Sequence, residues 1–172
     1  TRGTVTMDVR DLLPVMRTAM FKRIEGIASL SNLANLRITY ANQSRAEHSL
    51  GVSHFASVLC AKNGITGYDL LKVRLYGLTH DVGHLTGSHP AELYFRESGF
   101  DHESFAQELL IANRGAIEET GVELEDLLAM FNGDDPLHEI IDGPFGADRL
   151  YFMGIDPHMV GIEKQFDTLD ML

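Results

Sequence analysis

Between Asp69 and Asp81 the chain reads D-L-L-K-V-R-L-Y-G-L-T-H-D, a stretch that is apolar around most of a helical circumference. A helix of this kind has no broad face to give to water, so it belongs in the middle of a bundle of other helices. The rest of the sequence supplies them. From Asp11 to about Ser29, the residues Leu12, Val15, Met16, Ala19, Met20, Ile24 and Ile27 recur every three or four positions and predict one amphipathic helix. A loop follows through Asn32 to Gln43. Ser44 and Glu47 then stand at the spacing of a capping box, which predicts a helix running to about Lys62, where Asn63-Gly64 stops it. Gly83, Gly87, Ser88 and Pro90 make Val82 to Pro90 a turn-rich connector, and a short helix continues through Ala91 to about Glu97, ended by Gly99. Asp101 can cap a helix from His102 to about Arg114, with further helices near Glu123 to Phe131, Pro136 to Ile141 and Gly146 to Met153. The one strand-like segment is L-R-I-T-Y, Leu36 to Tyr40. The predicted fold is an all-α bundle.

A chain of 172 residues, 44% of them apolar, is the size of one domain. Its single cysteine, Cys60, cannot form an internal disulfide, and no run approaches the roughly 18 apolar residues of a membrane span or the apolar stretch of a signal peptide. These features predict a cytoplasmic protein. The net charge of −11 opposes nucleic acid and anionic membranes as partners. It is unevenly placed: residues 1 to 80 carry ten Lys or Arg against five Asp or Glu, and residues 81 to 172 carry four against twenty. The basic half could attract an anionic ligand, although solvated helix faces give the same asymmetry. The apolar tail of Leu169, Met171 and Leu172 is compatible with a homo-oligomer or with a frayed end.

Four of the eight histidines, His80, His84, His89 and His102, fall within 23 residues and are interleaved with Asp81, Glu92 and Glu103. Imidazole with carboxylate and no thiolate suits a catalytic ion such as zinc, iron, manganese, nickel or cobalt. Adjacent residues on a helix project about 100° apart, so His80 and Asp81 reach one ion most easily where the helix ends. His48 lies on the same helical face as Val52, Phe55 and Leu59, which places an imidazole among apolar groups. By itself such a histidine is either a third ligand or a hydrogen-bonded core residue. A zinc-protease reading of H-D-V-G-H-L-T-G-S-H-P fails, because that pattern needs Glu at Asp81 and its third His at Pro90.

The motifs R-A-E-H-S-L-G around His48, L-T-H-D-V-G-H-L-T-G-S-H around His80, F-D-H-E-S around His102 and G-A-D-R-L around Asp148 occur in an order that resembles the HD-domain phosphohydrolases. The resemblance is closest to the deoxynucleoside triphosphohydrolase branch, whose motif before the first histidine is similar to M-F-K-R-I-E-G-I here. It runs from about Val5 to Asp156. It implies a single HD domain over residues 1 to 172, without a C-terminal regulatory region, holding one divalent ion (Zn, Fe, Mn, Ni, Co or Mg) through His48, His80, Asp81 and Asp148. It further implies that His84, His89 and His102 surround the substrate phosphates, that Glu92 pairs with His89, and that Arg45 contacts phosphate. Ser29-Leu30 stands where that branch has Gln-Leu near the sugar, and Tyr151 and Phe152 stand where it has Asp and Tyr. Ser29, Leu30 and Tyr151 are the expected substrate contacts, and of these Ser29 and Tyr151 depart from the branch.

The physics of these roles is independent of the resemblance. A divalent ion polarises a phosphoryl oxygen and lowers the pKa of water from about 15.7 toward neutrality. A histidine oriented by a carboxylate can act as general acid, worth roughly 10²–10⁴-fold in rate. Protonated His84 and His102, with Arg45, could neutralise charge on phosphoryl oxygens. The expected reaction is hydrolysis of a (deoxy)nucleoside triphosphate to nucleoside and triphosphate. The alternatives are a nucleoside monophosphatase or cyclic-nucleotide phosphodiesterase of the same fold, and a non-catalytic scaffold that binds a nucleotide or protein.

Overall fold

A computed structural model of the protein describes residues 6–30 and 43–159. The predicted segment Leu36–Tyr40 and the tail residues Leu169, Met171 and Leu172 lie outside these. Among the described residues the only β pairing is an isolated bridge between Ala28 and Ser44, so the all-α expectation holds. No described helix is long and apolar enough to cross a membrane.

The single helix expected over Asp11–Ser29 is two short ones, α1 (Leu13–Met16) and α2 (Ala19–Glu25). Thr18 breaks the chain between them: its backbone is extended and its hydroxyl accepts the Phe21 N–H, capping α2. The apolar spacing runs through this break because Leu12, Val15, Met20, Phe21 and Ile24 all face the same core.

Helix α3 (Arg45–Lys62) begins with the expected capping box: Glu47 N–H donates to Ser44 Oγ at 3.1 Å, and Ser44 N–H donates to Glu47 Oε2 at 2.8 Å. It packs along the central helix α4 (Gly67–Thr79), whose Val73, Leu75 and Leu78 are fully buried. Then come α5 (Ser88–Phe95), a 3₁₀ turn, α6 (His102–Ala112, capped by Asp101), α7 (Arg114–Glu119) and α8 (Leu124–Phe131). A separate α7 was not expected; Asn113 ends α6 and opens it. A 3₁₀ turn at Pro136–His138 leads into α9 (Glu139–Asp142), and α10 (Ala147–Met159) returns to lie against α3. The tight contact between α10 and α3 needs Gly51, because a Cβ there would sit 2.1 Å from the Tyr151 ring.

Candidate metal and phosphate site

The C-terminal end of α4 is where the chemistry gathers. His80 is the residue that caps α4, and the chain turns immediately through Asp81, Val82 and Gly83 to His84. Two long-range contacts hold this turn. Arg23 of α2 donates from Nη1 to the His84 carbonyl at 2.6 Å and from Nη2 to the Val82 carbonyl. Gly83 presses so closely on the start of α6 that a Cβ there would lie 1.9 Å from the His102 carbonyl oxygen. The turn therefore brings His80, Asp81 and His84 against His48 of α3, His102 of α6 and Asp148 of α10.

His48 Nε2, His80 Nε2 and Asp148 offer donor atoms that all lie within 4.8 Å of one another. His48 Nε2 is 2.9 Å from Asp148 Oδ1, and His80 Nε2 is 3.8 Å from that same oxygen. Ligand atoms about 2.1 Å from a common ion stand roughly 3.0–3.4 Å apart, so the spacing suits a divalent ion. The hydrogen bonding suits it too. His80 Nδ1 lies 2.9 Å from the Gly77 carbonyl, which fixes the proton on Nδ1 and leaves Nε2, buried and without a hydrogen-bond partner, as the lone-pair donor. Asp81 stands beside this trio: its Oδ2 is 3.6 Å from His48 Nε2 and its Oδ1 is 3.6 Å from His80 Nε2. Its carboxylate is also bound to Arg45 Nη1 at 2.5 Å and approached by His84 Nε2 at 3.2 Å.

The electrostatics favour a cation. For Asp81, burial opposes the charged form, but His80, His84 and Arg45 outweigh it and hold the carboxyl well below its ordinary range. For Asp148, burial is likewise outweighed, here by His48 and His80. Burial also opposes charge on His80, yet the two neighbouring carboxylates push its pKa up to about 9. Two buried acids thus create a field that stabilises positive charge at this point.

A second group lies next to the first. His84, His89, Glu92 and His102 again place donor atoms within 4.8 Å of one another. Glu92 is the hub: Oε1 is 2.8 Å from His102 Nδ1 and 3.4 Å from His84 Nδ1, and Oε2 is 3.6 Å from His89 Nδ1. The expected pairing of Glu92 with His89 is thus the longest of the three, and the tightest is with His102. His84 and His102 are stacked, with ring centres 4.1 Å apart and planes 13° from parallel. In-plane lone pairs on parallel rings run side by side and do not meet at one ion. This group is accordingly suited to hydrogen bonding with an anion and to moving protons. Burial, above all, lowers the pKa of His84, and the adjacent Asp81 carboxylate opposes that shift.

One cavity of about 410 Å³ joins the two groups. It is lined by Arg45, His48, His80, Asp81, His84, His89, His102 and Asp148, together with Ser29 and Phe152. Leu30 is half-buried and Tyr151 is turned away from the cavity lining. Tyr151 packs edge-on against His48 at 5.5 Å, and its hydroxyl accepts from Gln43 Nε2 at 2.8 Å, so it supports a candidate ligand from behind and Phe152 takes the cavity-facing position. Sequence reasoning missed Tyr76, Phe131 and Asp142, which also line the cavity; the Tyr76 hydroxyl donates to Asp142 Oδ2. Tyr76 lies four residues before His80, and that helical spacing was the available signal. Phe131 and Asp142 carry no local signal.

Comparison with known proteins agrees with the geometry. The chain is 30% identical over 116 residues to the deoxynucleoside triphosphate triphosphohydrolase SAMHD1 homolog of Dictyostelium discoideum, covering 60% of this chain and 22% of that protein. It is 26% identical to the deoxynucleoside triphosphate triphosphohydrolase SAMHD1 of Mus musculus, covering 91% of this chain and 30% of that one. A solved structure of a hypothetical protein from Aquifex aeolicus superposes with a TM-score of 0.78 at 30% identity, over 95% of this chain and 46% of its own. The chain spans less than half the length of each of these relatives. The family profile described as the HD domain matches residues 45–134, which is more than half of the sequence and includes α3, the His80–His84 turn and α6. The chain belongs to the HD-domain family.

Proposed function

We propose that the protein is a metal-dependent phosphohydrolase that cleaves (deoxy)nucleoside triphosphates to nucleoside and inorganic triphosphate. The observation that carries this reading is the single cavity in which a trio of donor residues, His48, His80 and Asp148, adjoins the Glu92-centred imidazoles. The resemblance of the chain to two proteins named as deoxynucleoside triphosphate triphosphohydrolases supports the choice of substrate.

A divalent ion held by His48, His80 and Asp148, with Asp81 beside them, supplies polarisation of a phosphoryl oxygen and acidification of water. The protein's own groups do the rest. Arg45, with Nη1 on Asp81, presents its guanidinium to a phosphate oxygen. His102 and His84 receive the phosphate chain by hydrogen bonds. Hydrolysis at the α-phosphorus forms one P–O bond to the water oxygen, breaks the P–O5′ bond and delivers a proton to O5′. His89, 68% exposed at the cavity rim and facing Glu92 Oε2, is placed to deliver it. Phe152 and Ser29 remain to contact sugar and base.

The test is a product analysis with the eight common nucleoside triphosphates and a panel of divalent ions. Inorganic tripolyphosphate is the expected product. Orthophosphate released from a nucleoside monophosphate would replace this reading with a monophosphatase, and nucleotide binding without turnover would replace it with a scaffold. His89→Ala should retain the metal and lose roughly 10²–10⁴-fold in kcat.

A further inference from the structure

Ser88 is the one non-glycine residue with positive φ among the described residues, at +47°. An L-residue adopts this left-handed backbone against a steric penalty that glycine escapes, and glycine does stand at the preceding position, with Gly87 at φ +94°. Ser88 is 1% exposed, so neither solubility nor a surface turn accounts for a serine here. Its hydroxyl is engaged instead: Oγ accepts from Arg45 Nε at 3.3 Å. Arg45 is itself buried and donates from Nη1 to Asp81 Oδ2 at 2.5 Å. Two of the three guanidinium nitrogens are thereby fixed, one by the residue that opens α5 and one by the acid beside the metal-ligand trio. Nη2 is left for a ligand in the cavity, since none of the described residues accepts from it.

We propose that Ser88 is a positioning residue that sets the plane of the Arg45 guanidinium for the phosphate chain of the substrate. The strained backbone is what brings Oγ to Arg45, and the same turn sends the next residue, His89, to the cavity rim. A rotatable guanidinium tied only to Asp81 could swing about that one bond, whereas two anchors on different elements hold it still. The inference rests on the proposed reaction for Arg45's ligand, and it is tested without turnover.

The probe is inorganic tripolyphosphate, titrated calorimetrically into metal-loaded protein, with metal content measured in parallel. Ser88→Ala and Ser88→Gly are both expected to weaken binding about tenfold, because both remove the hydroxyl from a charged donor, while bound metal is unchanged. Ser88→Gly should melt at a higher temperature than Ser88→Ala, since glycine carries no penalty at φ +47°. In an Arg45→Lys background, Ser88→Ala should have no further effect on affinity. Wild-type affinity in Ser88→Gly would overturn the proposal by reducing Ser88 to a turn residue, and so would an undiminished Ser88→Ala effect in Arg45→Lys. A protein that binds tripolyphosphate and hydrolyses no nucleotide would sink the proposed reaction and leave this assignment intact; no affinity for tripolyphosphate in the wild type would overturn both.

Discussion

Gly83→Ala adds one methyl group at the closest backbone approach in the site. Its carbon would stand 1.9 Å from the His102 carbonyl oxygen and 2.8 Å from the Ala106 nitrogen. Carbon and oxygen normally meet no closer than about 3.3 Å, so the start of α6 must retreat by about 1.4 Å. Both atoms in the way are backbone, so no side chain can swing aside to absorb the change. Overpacking of this kind costs about 1–3 kcal/mol, which for a chain of this length lowers Tm by roughly 2–12 °C. The effect on activity should be larger in proportion. His102 rides on the displaced turn, stacked on His84 and 2.8 Å from Glu92, and a misplacement of about 1 Å in such a constellation costs roughly 10²-fold in rate. Metal content should be unchanged, because His48, His80 and Asp148 lie on other elements. The matched control is Gly115→Ala, where a Cβ meets nothing within 4 Å; it should stabilise by about 0.4–1 kcal/mol and leave turnover alone. Thermal melts and steady-state kinetics of the two variants decide the matter. A Gly83→Ala protein with the melting temperature and kcat of the wild type would refute the claim that this approach fixes the His102 side of the site.

Two further outcomes follow from buried groups away from the site. Burial, reinforced by Asp69, pushes the Cys60 thiol up to about 11, so at pH 8 the native protein should react with a thiol reagent only as fast as it unfolds, and promptly in denaturant; rapid native labelling would contradict the burial of Cys60. Burial opposes the charge on Asp135, but Lys72 Nζ at 2.5 Å and the Leu137 N–H outweigh it and hold its carboxyl below the ordinary range. A carboxyl depressed on folding contributes stability above its unfolded pKa and loses it as pH falls through the folded one. Asp135→Asn should therefore cost about 2 kcal/mol at pH 7, and the difference from wild type should shrink below about pH 4, as read from urea unfolding across pH; a pH-independent difference would contradict the ion pair.

Much of this architecture is legible in the residues because the signals are local. Ser44 and Glu47 mark the start of α3, the all-round apolarity of Asp69–Asp81 marks the enclosed helix, and His48 sits at helical spacing from Val52 and Phe55. The break at Thr18 is hidden because apolar periodicity reports which residues face a core and not whether the backbone between them is continuous. The partners within the site are hidden for a different reason. Glu92 lies three residues from His89, which makes that pair the obvious one, yet its shortest contact is with His102, brought in by a turn that depends on Gly83 and Arg23. Tyr151 reads as a substrate contact because it stands where the resembling branch has Asp, three residues after Asp148. It turns inward because Gly51 leaves room for its ring, and no local pattern announces a fit between residues a hundred positions apart.

The central claim is that His48, His80 and Asp148 hold one divalent ion. Metal analysis of purified protein after loading with Mn²⁺ or Zn²⁺ and extensive dialysis tests it directly, with His80→Ala, Asp148→Ala and His102→Ala alongside and far-ultraviolet circular dichroism to confirm folding. The account predicts about one equivalent in the wild type and in His102→Ala, and almost none in His80→Ala or Asp148→Ala. Folded His80→Ala and Asp148→Ala proteins that retain a full equivalent, or a wild type that retains none, would contradict it.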